Sequence, residues 1–303
     1  MKKSTKNNYI IQDKDLDQIL SIGSNHPRRK RYFTNSLIKK FIIKKDTESN
    51  FVPKIINAWK LKSFSKKLNI VIGDSHSEFN TRYYKSIVEK NFIPLNLSLT
   101  FWTGPTTLIG SILSSNYYDH LKKSLIQIIL STRELNFDLK KVNVIISLGE
   151  IDVRTKIQLE VLRKGISFNK IIDQNINDSY ALTLNALKKE LSEIFKDLSI
   201  VIYFKIPCPP SALDFELPLN YENALDIINS KPYPRIGNLK ARISTYQYLI
   251  NKIKSLCKKN NIKLLENKSY YKNFTLDEKN SHDGIHVSKG EWAFFNFEQL
   301  LKL

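Results

Sequence analysis

Residues 68–73 read LNIVIG, and the chain continues as DSHS at residues 74–77. The first part is a short β-branched run that ends in glycine, which is typical of a buried strand in a parallel sheet. Gly73 permits a tight turn, so we expect Ser75 just past the strand and at the start of a helix. Open α/β sheets bind their ligands at this carboxyl edge. The stretch therefore predicts a parallel sheet and the edge at which a site would lie.

Similar apolar runs recur along the chain, with helical patterns between them. The further predicted strands are VNVIISL at 142–148, LSIVIYF at 198–204, a weaker IKLL at 262–265, and FIPL at 92–95 as a candidate fifth. The predicted helices cover residues 77–90, 120–134, 171–196, 238–258 and 291–301. Strands that alternate with helices of this length predict right-handed crossovers and an α/β fold. Residues 207–237 contain six prolines and predict a long loop.

The composition excludes several classes of protein. The 303 residues are 42% hydrophobic and 25% charged, which favours a folded chain with a substantial core over a mainly disordered one. No run approaches the roughly 18 apolar residues of a membrane span, and residues 1–18 lack the apolar segment of a secretory signal. The two cysteines have no zinc-site spacing, so we expect no metal and no disulfide scaffold. We expect a cytoplasmic protein, and its oligomeric state stays unknown.

Positive charge is concentrated near the N-terminus. The net charge is 48 − 29 = +19, and residues 1–68 carry 17 basic and 5 acidic side chains, or +12 of that total. Residues 1–66 are therefore predicted to form a basic N-terminal extension that could bind a polyanion or an anionic surface. The alternative is ordinary solvated lysine, since Lys, Asn and Ile are the residues that AT-rich codons supply.

A second candidate motif lies near the end of the chain, where residues 282–287 read HDGIHV. A serine nucleophile needs a base to take its proton, and the base needs a partner that fixes its tautomer. Asp283 and His286 are three residues apart, so a compact turn could bring carboxylate and imidazole together. This segment follows the last main predicted strand and should reach the same edge as Ser75. His282 is the alternative base.

Taken together, the Gly-Asp-Ser at residues 73–75 and the Asp-x-x-His ending at His286 resemble the SGNH (GDSL-like) hydrolase and acyltransferase superfamily. The resemblance covers residues 67–303. It implies a flavodoxin-like three-layer α/β/α sandwich with a five-stranded parallel sheet. It also implies Ser75 as nucleophile, with its backbone amide in the oxyanion hole, His286 as base and Asp283 as the orienting carboxylate. No cofactor is implied.

The middle blocks of the family fit less closely. Gly104 is the candidate for the glycine after the second strand, with Gly110 as the alternative. Residues 149–152 read Gly-Glu-Ile-Asp, whereas the family has Gly-x-Asn-Asp, so Ile151 stands where an asparagine would donate to the oxyanion. An apolar side chain cannot donate, and losing one such donor typically costs about 10²–10³ in rate.

Arg154 is the best substitute for the missing donor, because its fixed fork of N–H groups can face an oxyanion. Glu150 would then position the arginine or contact a substrate hydroxyl. In the alternative interpretation, Glu150, Asp152 and Arg154 form an ion-pair network that only supports the turn. The sequence leaves both interpretations open.

The function expected from this resemblance is a serine-dependent ester hydrolase with an acyl-serine intermediate. Its substrate would be a small-molecule or glycan ester, and Asp74, His76, Glu150 and Asp152 are the candidate substrate-binding residues. Two alternatives stay open. The acyl group could pass to a sugar hydroxyl, which would make the protein an O-acetyltransferase, or the chain could be a catalytically degenerate module that binds carbohydrate or a polyanion.

Overall fold

A parallel sheet with helices between its strands forms the centre of the computed structural model. The structure describes residues 67–74, 97–102, 107–109, 115–134, 139–213, 218, 220–230, 234–266, 271–272, 274–276 and 281. The strands of the sheet are β1 (Lys67–Gly73), β2 (Leu97–Trp102), β3 (Lys141–Ser147), β4 (Ser199–Lys205) and β5 (Lys263–Leu265). All their pairings are parallel, and the order is β2-β1-β3-β4-β5. The α/β class is thus confirmed, and this order is compatible with a flavodoxin-like fold.

Apolar side chains on one face of the sheet form the main core. Ile70 in β1, Val144 in β3 and Ile202 in β4 belong to this cluster, and the residues between them point to the opposite face. That second face is also buried, as Val71 and Ile145 show. Burial on both faces explains why the strands are continuous apolar runs without alternation.

The described helices are α1 (Ser115–Glu134), α2 (Ile157–Lys164), α3 (Phe168–Asn175), α4 (Asp178–Ile194), α5 (Tyr221–Ser230) and α6 (Leu239–Lys259), and a π-helical turn (Asp152–Lys156) precedes α2. The prediction of one helix over residues 171–196 is wrong, because α3 and α4 are separate. Asn177 lies between them in extended backbone and donates its side-chain N–H to the carbonyl of Gln174. Asparagine competes with helical hydrogen bonds in this way.

The prediction of a long loop over residues 207–237 is also wrong, because it contains α5. The apolar side chains of Ala224 and Leu225 pack with Leu159 and Leu162 of α2 in a small separate cluster. The prolines lie before and after α5 and not within it, so they do not disturb its hydrogen bonds. Proline content alone was therefore a poor guide to this segment.

The second strand in the chain is Leu97–Trp102, which the sequence analysis did not predict as a strand. The candidate strand at 92–95, the helices at 77–90 and 291–301, and the basic extension 1–66 lie outside the described residues. Two short strands, β6 (Tyr271–Lys272) and β7 (Thr275–Leu276), form an antiparallel hairpin near the end of the described chain. In the part of the chain that the structure describes, no helix is both long and apolar enough to cross a membrane.

Candidate active site

Several predicted site residues lie where strands of the sheet end. Asp74 follows β1 directly and is 1% exposed, and residues 149–154 follow β3. Ser75, His76, Gly104, Asp283 and His286 lie outside the described residues, as do the alternatives Gly110 and His282. Their predicted roles therefore stay predictions. The described part of the site consists of the segments that carry the carboxylates and Arg154.

Asp152 connects the turn after β3 with the chain after β2. Its Oδ2 accepts a hydrogen bond from the backbone N–H of Leu108 at 2.5 Å, and its Oδ1 accepts one from Ile109 at 2.9 Å. The side chain is completely buried. Both oxygens of Asp152, a candidate substrate-binding residue, accept hydrogen bonds from backbone N–H groups, and its contact with substrate stays a prediction. This arrangement suits a carboxylate that fixes the position of the chain after β2.

The environment of Asp152 favours its neutral form. Burial raises the pKa of Asp152 to about 7, and the charge of Asp74 raises it as well. The N–H groups of Ile109 and Leu108 act in the opposite direction, because they stabilise the carboxylate. Two acidic side chains that influence one another in a buried site cannot both ionise without cost. The ends of β1 and β3 are therefore coupled electrostatically.

Gly149 is required by both backbone conformation and space. Its φ is +116°, a conformation that L side chains rarely adopt. A Cβ at this position would lie 2.6 Å from Cγ of Pro207. The turn after β3 thus packs directly against the chain that follows β4. Gly149, which the family pattern also has at this position, is therefore explained by the local structure alone.

Glu150 and Arg154 form a largely buried ion pair. Nε of Arg154 donates to Oε1 of Glu150 at 2.8 Å, and Nη1 donates to the carbonyl of Pro234 at 2.8 Å. The carbonyl of Arg154 in turn accepts from the N–H of Ile236 at 2.8 Å. Within the described residues, Asp152 forms no ion pair with Arg154. The three-residue network considered above is thus reduced to Glu150 and Arg154, which join the turn to the chain after α5.

Sequence reasoning missed two buried cations near this edge. Lys205, the last residue of β4, is 1% exposed and donates to Oγ of Ser147, the last residue of β3, at 3.3 Å. Arg242 of α6 is equally buried and donates to the carbonyls of Gly237 and Ser211. A lysine that directly follows the apolar run at residues 198–204 was the available signal for Lys205. The position of Arg242 on a long amphipathic helix gave no such signal.

The two cysteines are both buried. Burial raises the pKa of the Cys257 thiol to about 12, so this side chain stays protonated and unreactive at neutral pH. Among the residues that the structure describes, no cluster of three His, Cys, Asp or Glu side chains offers a metal site. The described chemistry at this edge is therefore that of carboxylates, buried cations and backbone amides.

Comparisons with protein-family models and with curated proteins found no match for this chain.

Proposed function

We propose that the protein is a serine-dependent ester hydrolase of the SGNH type. In this proposal residues 67–303 form a flavodoxin-like three-layer sandwich with a five-stranded sheet, and residues 1–66 form a basic extension. Ser75 is the nucleophile, His286 the base and Asp283 the carboxylate that orients it. The substrate is a small-molecule or glycan ester in the cytoplasm, and no cofactor takes part.

The observation that supports the proposal is the meeting of three strand ends at one edge. Asp74 precedes the proposed nucleophile in the chain, and its charge raises the pKa of Asp152 in the turn after β3. Asp152 accepts hydrogen bonds from the backbone N–H groups of Leu108 and Ile109. These two residues follow β2 and the proposed oxyanion glycine, Gly104, in the chain. A catalytic site built from separate segments needs such connections, because small displacements of reacting groups cost much of the rate.

The proposed reaction has two acyl-transfer steps. Oγ of Ser75 attacks the ester carbonyl while Nε2 of His286 takes its proton, and the backbone N–H groups of Ser75 and Gly104 donate hydrogen bonds to the oxyanion. The C–O bond to the alcohol then breaks, and His286 returns the proton to the leaving oxygen. Water attacks the acyl-serine with the same proton relay and releases the acid. Asp283 stabilises the imidazolium in both steps.

We propose that Arg154 supports the turn and does not donate to the oxyanion. Two of its three nitrogens are engaged by Glu150 and by the carbonyl of Pro234. The oxyanion hole would then consist of backbone amides alone, since Ile151 cannot donate. This arrangement predicts slower ester hydrolysis than a complete hole would give, by up to about 10²–10³.

The same two features favour one alternative function. Ile151 cannot donate to an oxyanion, and Arg154 is bonded to Glu150 and Pro234. A catalytically degenerate module that binds carbohydrate or a polyanion would need neither donor. O-Acetyl transfer to a sugar hydroxyl is the other alternative, in which a sugar replaces water in the second step. The esterase and the O-acetyltransferase both need an activated serine, whereas the binding module does not.

Labelling with a fluorophosphonate tests the proposal, because this reagent reacts with activated serine hydroxyls. We expect the wild-type protein to be labelled and the Ser75→Ala and His286→Ala variants to lose both labelling and hydrolysis of p-nitrophenyl acetate. The double variant should be little worse than either one, since residues of one catalytic unit are strongly non-additive.

The matched control is Ser199→Ala, since Ser199 is exposed at the opposite end of the sheet. It should be labelled like the wild-type protein. Labelling that survives Ser75→Ala would contradict the assignment of the nucleophile. Activity that survives His286→Ala but not His282→Ala would contradict the assignment of the base.

A further inference from the structure

Three lysines lie together on the face of the sheet that is opposite to the main core. Lys67 of β1 and Lys141 of β3 are direct neighbours in the parallel register. Lys141 is in register with Ser199 of β4, and Lys263 of β5 is in register with Tyr203 of β4. Because side chains alternate between the two faces, residues 199 and 203 are on the same side of β4. The register therefore brings all three lysines to one face, and we call them the lysine cluster.

The charges of the lysine cluster act on one another. Partial burial lowers the pKa of Lys141, and the charges of Lys67 and Lys263 lower it further. The direction of this shift shows that the surroundings of Lys141 as a whole disfavour its positive charge. Like charges on directly opposed residues of neighbouring strands destabilise a sheet. The cluster is therefore a place where the fold keeps positive charges close together at a cost.

The cluster borders solvent and is surrounded by polar groups. Lys263 is exposed, and Lys67 and Lys141 are partly buried. The ammonium group of Lys263 lies over the ring of Tyr203, 5.6 Å from its centre, and no acidic side chain among the described residues forms an ion pair with it. The next pair of residues on the same face is also polar, since Nδ2 of Asn143 donates to Oδ1 of Asn69 at 2.7 Å.

The usual structural reason for a group of lysines does not apply to this cluster. Lysines in the last turn of a helix interact favourably with the helix dipole, and Lys258 and Lys259 of α6 have such positions. The three lysines of the cluster are on strands, which have only small net dipoles. Their arrangement calls for another source of negative charge.

We propose that the lysine cluster binds a compact, multiply charged anion, such as a diphosphate group. Lysine ammonium groups bind phosphate as point charges, and three of them at one place match a ligand that carries several negative charges. The anion would replace the repulsion within the cluster by attraction. The strands fix the backbone of all three residues, and the ring of Tyr203 holds the ammonium group of Lys263, so little order has to be gained on binding.

This site is separate from the proposed active site. The lysines of β1 and β3 are the first residues of their strands, whereas the proposed active site follows the last ones. β1 extends from Lys67 to Gly73, which corresponds to about 20 Å at the usual rise per residue. The inference therefore goes beyond ester hydrolysis and does not depend on it.

Calorimetric titration with sodium pyrophosphate tests the proposal. We expect the wild-type protein to bind, and a variant with all three lysines of the cluster replaced by glutamine to bind at least about tenfold more weakly. The single variant Lys263→Gln changes an exposed side chain, so it should fold normally, and we expect about threefold weaker binding. Lys141→Arg keeps the charge and should keep most of the affinity.

The matched control replaces three exposed lysines on the other side of the sheet, Lys188, Lys196 and Lys258, by glutamine. It removes the same net charge as the cluster variant, and its affinity for pyrophosphate should stay within about twofold of the wild-type value.

Thermal unfolding distinguishes a binding role from a structural one. Pyrophosphate should raise Tm of the wild-type protein and of the control but not of the cluster variant, because a ligand stabilises only the state that binds it. Without pyrophosphate, Tm of Lys141→Gln should not fall, since the substitution removes a charge that its surroundings disfavour. Lysines that only support the fold would lower Tm when replaced and leave the affinity unchanged, which would contradict the proposal.

Three further outcomes separate this proposal from its alternatives. The proposal is overturned if the wild-type protein does not bind pyrophosphate, or if the cluster variant and the control lose affinity equally. Loss of heparin binding with unchanged pyrophosphate binding in the cluster variant would also overturn it, because it would indicate an extended polyanion as the ligand. Pyrophosphate binding through the cluster, by a protein that fluorophosphonate does not label and that hydrolyses no ester, would contradict the proposed enzyme alone.

Discussion

A buried carboxyl group can anchor a polypeptide at two points, because each of its oxygens can accept a hydrogen bond. Asp152 uses this property on the consecutive N–H groups of Leu108 and Ile109. The cost is the loss of hydration, which raises the pKa of Asp152 to about 7. A side chain that the sequence suggested for substrate binding thus fixes two backbone N–H groups of the segment after β2, and its predicted contact with substrate stays a prediction.

The titration of Asp152 makes stability depend on pH in a defined direction. Its folded pKa of about 7 lies above the ordinary value of 3.8, so unfolding releases a proton between these pH values. The contribution of the neutral side chain to stability is fully present below about pH 4 and is lost as pH rises through 7. We expect the stability of the wild-type protein relative to Asp152→Asn to fall from pH 5 to pH 8, at most about 1.4 kcal/mol per pH unit.

Urea denaturation at pH 5, 6, 7 and 8 measures this difference. The Asp74→Asn variant is the control, because it removes a charge that raises the pKa of Asp152. In that background the pH-dependent loss should end at a lower pH. A difference between wild type and Asp152→Asn that is constant over this range would show that Asp152 is ionised throughout.

Arg154 and Glu150 provide a second prediction at the scale of single residues. Their side chains are 11% and 7% exposed, so removing the guanidinium leaves a buried carboxylate without this cation. We expect Arg154→Ala to lower the free energy of unfolding by about 3 kcal/mol, and Glu150→Gln in the same background to restore part of it. Thermal and urea unfolding of both variants measure the change.

The kinetic result distinguishes the two roles of Arg154. A supporting role predicts that kcat for p-nitrophenyl acetate changes little in folded Arg154→Ala protein. A role in the oxyanion hole predicts that kcat and kcat/KM fall together, with little change in stability. That second outcome would contradict the role proposed here.

At the scale of elements, the turn after β3 and the chain after β4 form one packed unit. Pro207 touches Gly149, and its carbonyl accepts from the hydroxyl of Tyr246 on α6 at 3.1 Å. Arg242, one turn earlier on α6, holds the carbonyl of Ser211. Helix α6 therefore fixes the segment to which the hairpin of β6 and β7 is bonded.

Two glycine substitutions test how tightly this unit is packed. Gly149→Ala adds a Cβ 2.6 Å from Pro207 at a φ of +116°, whereas Gly165→Ala adds one at a φ of +63° with no atom within 4 Å. We expect about 1 kcal/mol of destabilisation for Gly165→Ala, from backbone strain alone. Gly149→Ala should cost roughly 2–3 kcal/mol more, because the segment after β4 must also move.

Chemical denaturation of both variants, with ester hydrolysis of the folded protein, measures these effects. Gly149→Ala should also lower hydrolysis, because it displaces the turn that contains Asp152. Equal destabilisation of the two variants would mean that Pro207 can move away from the added Cβ with no loss in the free energy of unfolding. The turn after β3 and the segment after β4 would then be independent of one another.

At the scale of the whole molecule, positive charge is distributed unevenly along the chain. Residues 1–68 carry +12 of the net charge of +19, and the basic run Arg28-Arg29-Lys30-Arg31 is its densest part. The described residues show ordinary surface pairs, such as Lys259 with Asp178 at 2.6 Å. Such exposed pairs contribute little to stability. The excess positive charge is the basis of the proposed attraction of polyanions, with ordinary solvated lysine as the alternative.

Replacing residues 28–31 by glutamine tests whether the basic run binds polyanions. We expect weaker heparin binding and a shallower dependence of log K on log salt, since fewer counterions are released. Ester hydrolysis should be unchanged. The control replaces four exposed lysines elsewhere, Lys188, Lys189, Lys196 and Lys258, and so removes the same charge. Equal weakening by both variants would indicate a general charge effect and no specific basic surface.

The local pattern of the sequence determined the class of the fold. The runs at 68–73, 142–148 and 198–204 became β1, β3 and β4 within one residue at each end, because strands buried on both faces must be continuously apolar. Strand β2 was missed, because it alternates apolar and polar residues and no apolar run marks it. The break at Asn177 and the helix α5 depend on capping and packing, which periodicity does not record.

The sequence also placed Asp74, Glu150, Asp152 and Arg154 at the carboxyl edge, since parallel strands all end there. Only the tertiary structure decided what each side chain binds. The partners of Asp152 are 44 and 43 residues away, and the carbonyl that Arg154 contacts is 80 residues away. Contacts over such separations depend on how the strands are ordered and how closely their turns pack. A local pattern of residues contains neither quantity.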